Sequence, residues 1–146
     1  MNRSGFSLVE LLVVVAILGI LATLGLPRLN TMRERAVVAS MISDLRNLAS
    51  AQVAFYSTYQ DFANGVAPQE VPGPGGRGRV ALTPSPGNVI VVRRRGPNNA
   101  NGEGWSATAT NPAVTNPAYN VCGVFMGAAR YAPNRAVTAT GVPACY

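Results

Sequence analysis

The sequence predicts an α+β fold, one long N-terminal helix followed by a small antiparallel β-sheet. Three observations carry the prediction. From Phe6 to about Gln60 the apolar residues run first without interruption and then at steps of three and four. After Asp61 the composition shifts to Gly, Pro, Asn, Thr and Ala, which favours turns and short strands. The whole chain has 146 residues, enough for one domain and not comfortably for two. A run of strands after a single long helix packs as a sheet against the amphipathic part of that helix.

The N-terminus comes first in the element order. Met1 to Gly5 is a short polar leader with one Arg, followed by Phe6-Ser7-Leu8-Val9-Glu10. Leu11 to Leu26 is a run of 16 residues in which Thr23 is the only polar member, and Pro27 closes it. A carboxylate at the edge of a membrane-grade apolar run is expensive, so Glu10 needs a partner. The nearest positive charges are Arg3 and the amine that a cut after Gly5 would create. A secretory signal is cut after its apolar stretch, at small residues. Here the small residue, Gly5, precedes the stretch, so a cut there keeps the apolar segment and exposes a new amine at Phe6.

Gly5, Phe6, the run Ser7-Leu8-Val9-Glu10-Leu11-Leu12 and Pro27 resemble the N-terminus of type IV prepilins and their pseudopilin relatives, most of all a type IVa major pilin. The resemblance implies cleavage between Gly5 and Phe6 by a prepilin peptidase and N-methylation of Phe6. It also implies a single-pass precursor in the inner membrane, then a homopolymeric filament on the cell surface built with the pilus assembly machinery. Adhesion, twitching motility or DNA uptake would be properties of that filament. Glu10 would pair with the Phe6 amine of a neighbouring subunit. The implied division is a leader (1–5), a transmembrane and assembly helix (6–30) and a pilin head (31–146). The nearest rivals are a pseudopilin of a type II secretion system and a minor pilin. A rival of another class is a DNA-binding uptake component.

Gly19, Gly25 and Pro27 weaken the first half of the helix, and a kink or local melting is expected over residues 23–27. In the second half, Ile42, Leu45, Leu48 or Ala49, Gln52, Phe55 and Tyr59 form the apolar stripe. Arg33, Glu34, Ser40, Asp44, Arg46 and Asn47 lie opposite it, and Glu34, Arg35 and Asp44 read as a solvated or subunit-facing surface, the solvated reading being preferred. At ~1.5 Å per residue this helix spans roughly 80 Å, against a bilayer core of about 30 Å, so its second half belongs to the head.

Residues 61–78 read as a Pro/Gly loop. Within it Gly75-Gly76-Arg77-Gly78 lacks the Gly-Lys-Ser/Thr ending of a phosphate loop. Arg79 to Thr83 and Asn88 to Arg95 flank Pro84-Ser85-Pro86-Gly87 and read as a hairpin. Gly96 to Gly104 is an Asn/Gly loop. Trp105 to Thr110 alternates as a half-buried strand, Tyr119 to Phe125 is another, and Ala136 to Thr140 reads as a short edge strand. Cys122 and Cys145, an even pair in an exported domain, read as one disulfide bounding the tail; two free thiols is the other reading.

The formal charge is +6 and all 12 basic residues are Arg, with no Lys and no His. Arg93-Arg94-Arg95 is a candidate basic surface, although strand alternation separates Arg94 from the other two. Phosphate contacts there would suit nucleic acid, but no aromatic interleaving supports stacking. Nucleic acid is therefore the disfavoured partner, and solvated or intersubunit arginines are preferred. Six scattered acids, no His and no nucleophile–base motif argue against an enzyme. No cofactor and no metal site is expected: two thiols without His do not hold zinc. After Asp61 only Glu70 and Glu103 could serve calcium.

Overall fold

Strong helix formers dominate Leu8–Tyr59, and these residues form one 52-residue α-helix, α1, in the computed structural model. The structure describes residues 5–73, 77–95 and 103–146, and within α1 the side chains of residues 24–28 are not described. The expectations for the leader before Gly5, for Gly75 and Gly76, and for most of the 96–104 loop lie outside the described residues. The chain divides into two compact units, Met1–Arg35 and Ala36–Tyr146.

In the first unit α1 leaves its apolar side chains uncovered by the rest of the chain, from Leu8 and Val9 to Ile20 and Leu21. The helical backbone continues through Gly19, Gly25 and Pro27. The melting expected over residues 23–27 is therefore absent from the single chain. One proline removes one N–H and strains one turn, and the Leu- and Ala-rich neighbours carry the helix across it. Among the described residues no helix is long and apolar enough to cross a membrane.

In the second unit, the later part of α1 packs on a four-stranded antiparallel sheet. Its strands are β3 (Val89–Arg95), β4 (Gly104–Thr110), β5 (Val121–Met126) and β6 (Ala144–Cys145), in that order across the sheet. Two further short strands, β1 (Val66–Ala67) and β2 (Val80–Ala81), pair parallel to each other. Register sorts the side chains: Val92, Ala107 and Val124 are opposed on one face, as are Arg93, Ser106 and Phe125 on the other. The first face meets Met41, Leu45, Leu48 and Phe55 of α1 around a fully buried Trp105. Phe125, on the second face, forms a smaller cluster with Tyr131 and Val137.

That second cluster corrects the expectation of a half-buried strand over Trp105 to Thr110. The chain after β5 folds back through a short 3-10 helix (Ala129–Tyr131), so β4 is covered on both faces and even Ser106 is buried. Two pairings also differ from expectation. Residues 79–83 do not form a hairpin with β3; β2 pairs with β1 instead, and β3 pairs with β4. The Pro84-to-Gly87 turn is held by the helix: the Ser85 N–H and hydroxyl donate to the Asp44 carboxylate at 2.8 and 2.9 Å. Residues 136–140 are not a strand. The Val137 N–H donates to the Asn134 carbonyl at 3.0 Å in a turn, and the sheet edge is β6, where Cys145 lies in register with Cys122.

Candidate assembly and processing site

Ser7-Leu8-Val9-Glu10 has the spacing of a helix capping box, in which a Glu or Gln three residues after the cap reaches back to the cap's N–H. Glu10 Oε2 accepts the Ser7 N–H at 3.3 Å, and the Leu11 N–H donates to the Ser7 carbonyl at 3.2 Å as the helix begins. The carboxylate also lies at the positive end of the helix dipole. This bond uses one of roughly four acceptor positions on the carboxylate. Among the described residues no cation lies within salt-bridge distance of it. Phe6 precedes the cap and is 75% exposed. A Cβ placed on Gly5 would meet nothing within 4 Å among the described residues. Gly5, Phe6 and Glu10 thus lie together at the helix start. Gly19 lies further along α1, also in open surroundings, and Gly25 and Pro27 fall among the undescribed side chains.

The three arginines separate. Arg93 and Arg95 share one face of β3, and Arg94 points to the other, where its Nε lies 3.1 Å from Asp61 Oδ1 with both side chains buried. Arg94 is accordingly no part of a basic surface, contrary to the solvated reading. The pair ties β3 to the turn after α1, and the Arg94 N–H adds a bond to Asn64 Oδ1 at 3.1 Å. Cys122 and Cys145 form the disulfide, joining β5 to β6.

Asp44 was read from the sequence as solvated; it is 5% exposed. Besides Ser85 it accepts from Asn88 Nδ2 at 2.7 Å, and Asn111 Nδ2 donates to Asn88 Oδ1 at 2.7 Å. Gln52 closes a second anchor, donating to the Ala63 carbonyl and accepting the Ala63 N–H, both at 2.9 Å. Spacing held the signal for Asp44: it stands three residues after Met41 and four before Leu48, on the buried stripe. Tyr59 donates its hydroxyl to Glu70 at 3.1 Å. Partial burial, then the bond to Glu70 and its negative charge, push that phenol's pKa up. Among the described residues no group of His, Cys, Asp or Glu could hold a metal ion.

The family model for the prokaryotic N-terminal methylation motif matches residues 1–26. The type IV major pilin protein PilA of Myxococcus xanthus (strain DK1622) is 42% identical over 73 residues, a match covering 47% of this chain and 33% of that protein. The chain thus matches about a third of the length of its curated relative. No solved structure matches. The methylation motif lies on the residues that cap and open α1, and over 73 residues the chain is similar to a type IV major pilin.

Proposed function

We propose that the chain is the structural subunit of a type IV pilus. It is made as a precursor, cut between Gly5 and Phe6 by a prepilin peptidase, methylated at Phe6 and polymerised from the inner membrane into a surface filament. The observation that carries this reading is the uncovered apolar surface of α1 from Leu8 to Leu21 behind a capped Glu10 that meets no cation among the described residues. Lipid and then neighbouring copies of the same helix would cover that surface, and the freed Phe6 amine would supply a cation for Glu10. The role is structural. The Cys122–Cys145 bridge favours a pilin over a major pseudopilin, since the resemblance associates such a bounded tail with pilins.

The cap supplies a clean test. Gln also serves at the third position of a capping box, so Glu10→Gln keeps the helix start and removes only the charge. The expected outcome is a precursor at wild-type level in the membrane and surface filaments reduced at least about tenfold, the equivalent of ~1.4 kcal/mol in assembly. Wild-type filament yield from Glu10→Gln would overturn the ionic pairing.

A further inference from the structure

Arg93 and Arg95 border a groove on the sheet face turned away from α1. Its other lining includes Val91, Ser106, Thr108 and Pro133, and its volume is about 190 Å³. Pro133 lies over Gly123, where a Cβ would come within 2.5 Å of the proline ring, so the covering segment after β5 ends there as a wall. The β3 side of the same face stays open, with Val89 and Val91 exposed.

Two guanidinium groups two residues apart on one strand face lie roughly 6.6 Å apart at their roots, close enough to repel. No carboxylate lies within salt-bridge distance of either among the described residues. Arg95 is already oriented, its Nε donating to Ser106 Oγ at 3.1 Å. The Ser106 hydroxyl proton and the Thr108 hydroxyl have no acceptor among the described residues. The groove therefore gathers two cations, one of them oriented by Ser106, and two free O–H donors around one space. One Arg satisfies a carboxylate bidentately, whereas two cations and two hydroxyls suit a tetrahedral dianion with three terminal oxygens.

We propose that this groove is a phosphate-binding site, taking inorganic phosphate or the terminal phosphate of a monoester. Arg93 and Arg95 neutralise its charge, and Ser106 and Thr108 donate to its oxygens. A nucleic-acid backbone fits less well, because each diester phosphate carries one charge and two free oxygens and the groove has no aromatic platform for bases.

The test uses the full-length chain solubilised in detergent, with arginine Nε–H signals followed by NMR. Inorganic phosphate should shift the Arg93 and Arg95 signals saturably and leave those of Arg46 and Arg135 in place. Glycerol phosphate should act alike, and acetate at equal ionic strength should bind at least about tenfold more weakly, since it can use only part of the donor set. Arg93→Gln with Arg95→Gln should abolish saturation. Thr108→Val, which leaves the charges intact, should weaken phosphate binding several-fold. Linear shifts shared by all arginines, equal responses to phosphate and acetate, saturable binding that survives the double substitution, or tighter binding of a short DNA duplex than of glycerol phosphate would each overturn the proposal.

Discussion

Two buried carboxylates fasten α1 and its following turn to the rest of the head, and they do so differently. Asp61 meets a charge, Arg94, in a nearly dry setting. Removing one member of such a pair leaves the other buried and uncompensated, so Asp61→Ala should destabilise the head by about 3–5 kcal/mol in urea unfolding. Asp44 instead accepts three hydrogen bonds from neutral groups of Ser85 and Asn88. Asp44→Ala should cost about 2–4 kcal/mol and loosen the 84–88 turn, seen as faster amide exchange at Ser85 and Asn88. The phenols set an alkaline limit. Tyr59 and Tyr146 both hold their protons more tightly when folded, Tyr146 through burial. The folded state then binds more protons than the unfolded one. The stabilisation is complete below the ordinary Tyr value near pH 10 and is lost as pH rises through the raised folded values. Tyr59→Phe should flatten that alkaline decline, checked by thermal unfolding between pH 8 and 11. At this scale the sequence was legible in part. Glu10 stood out because an acid beside an apolar run is costly, and Arg94 was correctly separated from its neighbours by alternation. The place of Asp44 on the buried stripe was legible in its spacing from Met41 and Leu48, but the partners of Asp44 and Asp61, 41 and 33 positions further on, were not.

Among the elements, α1 was the most legible, since a long apolar run continues directly into a 3.6-residue pattern in its second half. Strand pairing was less so. Short runs of β-formers around Pro84-Ser85-Pro86-Gly87 look like a hairpin, yet neither run states which edge it joins. The two prolines bring no N–H to a ladder, and Asp44 takes the turn for the helix. The tail shows the same ambiguity: Ala136 to Thr140 has strand-like residues, but Cys145 is covalently held to Cys122, and that places Ala144–Cys145 on the sheet edge. The disulfide closes a separation of 23 residues. On the chain-entropy model it contributes about 3 kcal/mol, so reduction, or Cys122→Ala with Cys145→Ala, should lower stability by that order and release β6 first. Amide exchange at Val121 and Tyr146, which bond each other across this edge, would report the release.

For the whole molecule the contrast is between a head with its own core and an apolar helix segment that its own chain leaves bare. The head offers Trp105, Phe55, Leu45 and Leu48 fully buried around one sheet, while Leu8 to Leu21 remain exposed. Bare apolar surface of that extent needs a cover, and a filament core made of the same helix from many copies is the cover proposed here. The sequence pointed to that cover through the leader, Gly5, Phe6 and Glu10; the capping bond between Ser7 and Glu10 appeared only once the backbone was in place. The central claim is that the amine of Phe6 is created by processing and then becomes part of the filament. The most direct measurement is the intact mass of filaments sheared from cells. The account predicts one dominant species that begins at Phe6, lacks Met1 to Gly5, retains the disulfide and carries one added methyl group. Filaments whose subunits still contain Met1 to Gly5 would contradict it.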